Sequence, residues 1–189
     1  MEDRLIFIAG DTTSGKSRSL SFIKEPSKAM YLACEGKGLP FKKFTEGTVG
    51  KFKSLQVKDP KVQIPAAIDA AVADPMINTV IIDTIDYALN MFQSLYVDGV
   101  DGFDGWNQYK TFIRDMFLKH IPKASGMNFL VLAHTKSKYN AEAMAFDIKI
   151  PVKGSTEKEG GLEGFSNCIV MAKKVDVAHL EKHPNKYLN

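Results

Sequence analysis

The sequence predicts a three-layer α/β sandwich built on a mostly parallel central sheet. Short apolar, β-branched runs alternate with stretches of helical periodicity, as expected for strands buried on both faces and joined by helical crossovers. The 189 residues, 44% hydrophobic and 25% charged, suffice for one core without disulfide or metal staples. Neither an internal repeat nor a low-complexity segment breaks the pattern.

Leu5–Ala9 is the first apolar run and reads as a buried strand, and a helical pattern follows over Ser17–Ile23. Ala29–Ala33 is the next buried strand, then a helix over Ile64–Ala73, a strand at Thr79–Ile82 and a helix over Ile85–Leu95. Apolar residues at helix spacing recur over Trp106–Ile121, and the last buried strands are Asn128–Ala133 and Cys168–Ala172. Right-handed crossovers would place ligands beyond the carboxyl ends of these strands. Gly36–Val49, Asp98–Gly105 and Lys136–Gly164 read as loops, the last with one strand-like piece, Phe146–Val152. Residues 1–175 are expected to form the core, and 176–189 a polar tail.

No run approaches the roughly 18 apolar residues of a membrane span. The start, Met1-Glu-Asp-Arg, is unlike a cationic signal peptide, so a cytoplasmic location without membrane contact is expected. Cys34 and Cys168 are too few for a disulfide framework or a cysteine zinc site, which leaves oxygen ligands for any metal. The net charge is +3, but the 25 basic residues divide into three arginines, Arg4, Arg18 and Arg114, and 22 lysines. Seven lysines fall between Gly36 and Lys61, and six aspartates between Asp83 and Asp115, which predicts a basic and an acidic face.

The most specific motif is Gly10-Asp-Thr-Thr-Ser-Gly15-Lys16-Ser17, a G-x-x-x-x-G-K-[ST] phosphate loop between a predicted strand and a predicted helix. Its glycines let the backbone curl, its amides donate to phosphate oxygens at a helix N-terminus, Lys16 reaches the β/γ pair and the Ser17 hydroxyl ligates Mg²⁺. Gly10, Thr12, Thr13, Ser14, Gly15, Lys16, Ser17 and the adjoining Arg18 are the candidate nucleotide-binding residues. Thr79-Val-Ile-Ile-Asp83 is an apolar strand ending in a carboxylate, which would share the Mg²⁺ with Ser17 through water. Glu35, at the tip of the second strand, is a candidate to polarise an attacking water, and His134, at the tip of Asn128–Ala133, to sense the γ-phosphate or orient that water.

These four strand tips resemble those of RecA-like ATPases of the ASCE class. Ala33-Cys-Glu35-Gly36 resembles the family's catalytic glutamate, Val80-Ile-Ile-Asp83 its Walker B segment, and His134 falls where the family keeps a polar sensor. The resemblance implies that Asn128–Ala133 lies between the phosphate-loop and Walker B strands. The chain is more specifically similar to the minimal RecA-core recombinases of bacteriophages, the Sak group, which carry an AAA-type ATP-binding core and promote single-strand annealing. Tyr31-Leu-Ala-Cys-Glu35-Gly36, the Trp106–Ile121 helix, Leu132-Ala-His134-Thr-Lys136 and Ile150-Pro-Val-Lys153-Gly154 followed by Gly161-Leu-Glu-Gly164-Phe165 carry that likeness beside the phosphate loop.

It implies an ATP hydrolase using Mg²⁺, a homo-oligomer arranged as ring or filament, single-stranded DNA as partner, and cooperation with a single-strand-binding protein. The DNA-facing residues would be Lys136, Lys138, Lys149 and Lys153, with Lys158 and the aromatics Tyr139 and Phe146 in the same segment. None of the arginines follows a late strand, so a charge reaching a neighbour's γ-phosphate would come from Lys173 or Lys174. Two other readings stay open. A nucleotide or metabolite kinase would want an arginine-rich lid, which this chain lacks. An NTP-binding assembly or regulatory protein would need no DNA.

Overall fold

Strand β1, Arg4–Gly10, sits inside the sheet because its alternate residues Leu5, Phe7 and Ala9 are buried. The computed structural model describes residues 4–140, 144–154 and 160–182. After a short helix α1, Lys16–Ser19, come β2, Ala29–Ala33, and β3, Lys53–Gln56. Helix α2, Pro60–Ala73, leads to β4, Thr79–Asp83, and α3, Ile85–Tyr96. Helix α4, Asp104–Asp115, passes through a π-helical turn, Met116–His120, into α5, Ile121–Lys123. Then come β5, Asn128–His134, the strands β6, Lys136–Asn140, and β7, Ala145–Lys149, and finally β8, Cys168–Ala172, and α6, Val177–Lys182.

Six strands form one sheet in the order β3-β2-β4-β5-β1-β8, every pair parallel, while β6 and β7 form a separate antiparallel ribbon. β5 lies between β1 and β4, the order expected from the sequence, and its register on β1 runs from Arg4↔Asn128 to Gly10↔His134. The C-terminal ends of β1, β2, β4 and β5 therefore meet at one rim.

The two faces are covered unequally. Phe7, Val80, Ile82, Phe129 and Val131 on one face pack with Ile64 and Ile68 of α2, Phe92 of α3 and Ile113 of α4 in the larger core. Phe92 anchors it with rings at 4.7 Å to Phe112 and 4.9 Å to Tyr96. The other face is thin, with Tyr31, Ile81 and Leu132 under Leu20 and, from the segment after β2, Leu39, Phe41 and Phe52. The expected Gly36–Val49 loop is irregular yet held: Phe44 packs edge-on against Phe41 and Phe52, and the Thr45 amide donates to the Ser21 carbonyl at 3.0 Å.

Several elements depart from expectation. The α2 helix starts before Ile64 because the Asp59 side chain accepts from the Lys61 amide at 3.1 Å and Pro60 fits a first helical turn. The Ser17–Ile23 helix is a single α turn continued by a 3₁₀ turn, Leu20–Phe22. β3 and β6 show no apolar run because β3 is an exposed edge and β6 lies outside the sheet. The piece expected over Phe146–Val152 is displaced to Ala145–Lys149, since Ile150 and Val152 leave the ribbon and bury in the larger core at 3% and 7% exposure. β8 is a strand but not a buried one: among the described residues it ends the sheet, pairs only with β1, and leaves Ile169, Val170 and Met171 at 37%, 39% and 49% exposure. Within the expected tail, Val177–Lys182 is helical, and residues 183–189 lie outside the described ones. Among the described residues no helix is long and apolar enough to cross a membrane.

Candidate functional site

At the end of β1 the chain turns so tightly that a Cβ on Gly10 would run into the Ala172 carbonyl and come within 2.8 Å of Ser14 Oγ. The turn closes with the Ser14 amide on the Asp11 carbonyl at 3.1 Å, Thr13 and Gly15 taking φ of 64° and 100°. Glycine adopts that conformation freely, and at Thr13 it is uncommon. Lys16 is 5% exposed and folds back, its Nζ donating to the Gly10 and Asp11 carbonyls at 2.9 Å each. Burial pushes its pKa down, against the opposing pull of Asp86, Asp83, Glu35 and Asp11.

Asp83 ends β4 at 3% exposure. Its Oδ1 accepts from the Ser17 hydroxyl at 3.2 Å and its Oδ2 from the Tyr31 hydroxyl at 2.9 Å. Burial raises the Asp83 pKa, and those two donors oppose the rise. Burial and the neighbouring carboxylate push the Tyr31 phenol far up, so it acts as a neutral donor. The Asp83 carbonyl accepts from the Cys34 and Glu35 amides at 2.7 and 3.3 Å, which ties the tip of β2 to that of β4. The Asp83–Thr84 peptide is cis.

The Glu35 carboxylate is 3.9 Å from Lys37 Nζ, and its proximity raises the Tyr87 phenol pKa. His134 ends β5, its ring Nδ1 2.7 Å from Asp86 Oδ2. The Thr135 amide donates to the Gly10 carbonyl at 3.2 Å and its hydroxyl to Asp11 Oδ1 at 3.1 Å.

The expected nucleotide set Thr12–Arg18 and Glu35, Asp83 and His134 thus line one cavity of about 360 Å³; Gly10 underlies the turn. Leu39 and Pro40 close it on the side of the aromatic loop. Ser14 Oγ and Thr84 Oγ1 are buried beside it without a partner among the described residues, so polar capacity is left for a ligand. A flexed backbone turn at the start of a helix, a buried lysine and a hydroxyl–carboxylate pair can together hold an anionic phosphate chain and a hard cation. Among the described residues no group of three or more His, Cys, Asp and Glu is placed to hold a metal unaided.

None of the remaining candidates lines this cavity, but Lys174 reaches its wall at Thr13. Lys136 and Lys149 face each other across the ribbon, and Tyr139 is 55% exposed beside them. They border a groove of about 990 Å³ that also takes in Asp147 and Glu163, so its charge is mixed. Lys153 is off the ribbon, bonded to Gln93 Oε1 of α3. The side chains of Lys138 and Phe146, and Lys158 entirely, fall outside the described residues. Lys173 is exposed, and Lys174 Nζ lies 3.1 Å from Thr13 Oγ1 of its own chain.

Tyr31, Asp86 and Tyr87 enter the site without having been foreseen. Tyr31 looks like an ordinary strand residue, and its partner is 52 positions away. Asp86 and Tyr87 sit in the first turn of α3, where an acidic residue is common for its effect on the helix dipole alone.

No protein-family model matches this chain, and no curated protein matches it. The class defined by the fold is a three-layer α/β protein with a parallel six-stranded sheet, compatible with the generic Rossmann or RecA-like topology of NTP-binding proteins.

Proposed function

We propose that this chain is a RecA-like P-loop ATPase that binds ATP with Mg²⁺, is stimulated by single-stranded DNA, and serves DNA recombination or single-strand annealing of the bacteriophage type. The observation that carries the reading is the convergence of the 10–17 turn, Glu35, Asp83 and His134 on one cavity at the rim of a parallel sheet.

Lys16 would exchange its two carbonyl partners for β/γ-phosphate oxygens, which suits a buried ammonium better than neutral acceptors do. Ser17 and, through water, Asp83 would be the oxygen donors for Mg²⁺, which would supply positive charge beside the β/γ oxygens. Glu35 would orient a water in line with the γ-phosphate, and His134 would meet that phosphate from the β5 side. The apolar pair Leu39 and Pro40 offers a surface for the base.

DNA would meet the β6–β7 ribbon, where Lys136, Lys138 and Lys149 serve phosphates and Tyr139 a base, with Lys153 alongside. A second copy of the chain is the natural cover for exposed β8, and Lys173, or Lys174 once released from Thr13 of its own chain, would then supply charge to the neighbour's γ-phosphate. A single-strand-binding protein is the further partner this role implies.

The test is ATP turnover with and without single-stranded DNA, with Lys16→Ala as control. DNA-stimulated phosphate release that Lys16→Ala abolishes supports the proposal. Turnover surviving Lys16→Ala removes the phosphate-loop assignment, transfer to a small acceptor identifies a kinase, and indifference to DNA removes the recombination role.

A further inference from the structure

We propose that the first turn of α3 positions a side chain placed to act on the γ-phosphate: Asp86 sets the ring of His134. The role rests on the ATPase reading of the cavity, while the contacts that suggest it do not.

Asp86 commits both oxygens to one residue. Its Oδ1 accepts from the His134 backbone amide at 3.0 Å, and its Oδ2 lies 2.7 Å from His134 Nδ1. The two side chains are 20% and 12% exposed, so water competes weakly for the contact. An ionised carboxylate only accepts, so Nδ1 carries the proton and Nε2 is the ring nitrogen left for a ligand. Holding the amide and the ring together also fixes the ring's orientation. The His134 ring lines the cavity, and the Tyr87 ring packs tilted against it at 6.0 Å between centroids.

Because α3 directly follows Asp83 and Thr84, the spacing between Asp83 and His134 is referred to a single short segment.

Asp86→Asn removes the carboxylate while keeping the shape. It is expected to lower kcat about 10- to 100-fold, the range for loss of a group that orients an acting side chain. KM for ATP should move less than kcat, since no residue of the phosphate loop is replaced and only the charge near Lys16 changes. Asp86→Asn should add little in a His134→Gln background, because nothing remains to be positioned. Additive losses, or an unchanged kcat, overturn the proposal.

A second readout needs no turnover. Long-range ¹H–¹⁵N correlation of the His134 ring should show protonated Nδ1 in the native protein and a changed tautomer in Asp86→Asn; a bare Nδ1 in the native protein overturns the assignment. Should the native protein fail to hydrolyse ATP while the ring behaves as expected, the ATPase reading falls and the Asp86–His134 pairing stands.

Discussion

Replacing Tyr31 with phenylalanine takes away one hydroxyl and nothing else. That hydroxyl lies 2.9 Å from Asp83 Oδ2, and the two residues are 6% and 3% exposed, so little water is at hand to take its place. A hydrogen bond to a charged group contributes about 1.5–3 kcal/mol. At about 2–4 °C per kcal/mol for a domain of this size, Tyr31→Phe should lower Tm by about 3–12 °C at neutral pH. Asp83 would keep only the longer Ser17 bond at 3.2 Å.

The pH dependence follows from the same contact. Burial already raises the Asp83 pKa above its unfolded value, and losing a donor to the carboxylate raises it further. The native contribution from this raised group is fully present below the unfolded pKa and is lost as pH rises through the folded pKa. The variant's deficit runs the opposite way, because the missing donor served the ionised form. It is largest above the variant's folded pKa and shrinks as pH falls through the native one. Urea unfolding of both proteins from about pH 8 to about pH 4 measures this directly. A deficit below about 0.5 kcal/mol at neutral pH, or one constant across the series, would refute the reasoning.

Two further outcomes follow from the geometry. Gly10→Ala drives a methyl group into the Ala172 carbonyl, so it should cost about 1–3 kcal/mol in urea unfolding and also weaken binding of a fluorescent ATP analogue; normal binding by this variant would show that the turn can shift freely. Cys34 is buried, which pushes its thiol up to about 12, whereas Cys168 is exposed; a colourimetric thiol reagent should therefore modify one cysteine quickly in the native protein and both in denaturant, and two fast cysteines would contradict the packing around β2.

The parallel sheet could be read from the sequence because its inner strands are apolar on both faces, as Val80, Ile81 and Ile82 are in β4. The strand tips were legible for the same reason: where an apolar run stops, Gly10, Asp83 and His134 stand at the rim. Edges left no such mark. Lys53-Ser-Leu-Gln and Lys136-Ser-Lys-Tyr-Asn take strand form through backbone pairing, and their side chains look like loop. The apolar run of β8 misled in the opposite direction, since hydrophobic residues cannot say whether their cover lies in the same chain. Within the site, polar residues at strand ends were visible one by one. The pairings of Asp83 with Tyr31 and of His134 with Asp86 were not, because they join positions 52 and 48 residues apart that only the fold brings together.

One residue, Thr135, separates the end of β5 from the start of β6. Consecutive Cα atoms stand about 3.8 Å apart, so this joint has no slack. It is also pinned, by its amide to the Gly10 carbonyl and by its hydroxyl to Asp11. A load entering the ribbon along β6 therefore reaches first the same two residues whose carbonyls accept from Lys16. The β6 strand is mechanically a handle on the 10–17 turn, with Thr135 as its rivet.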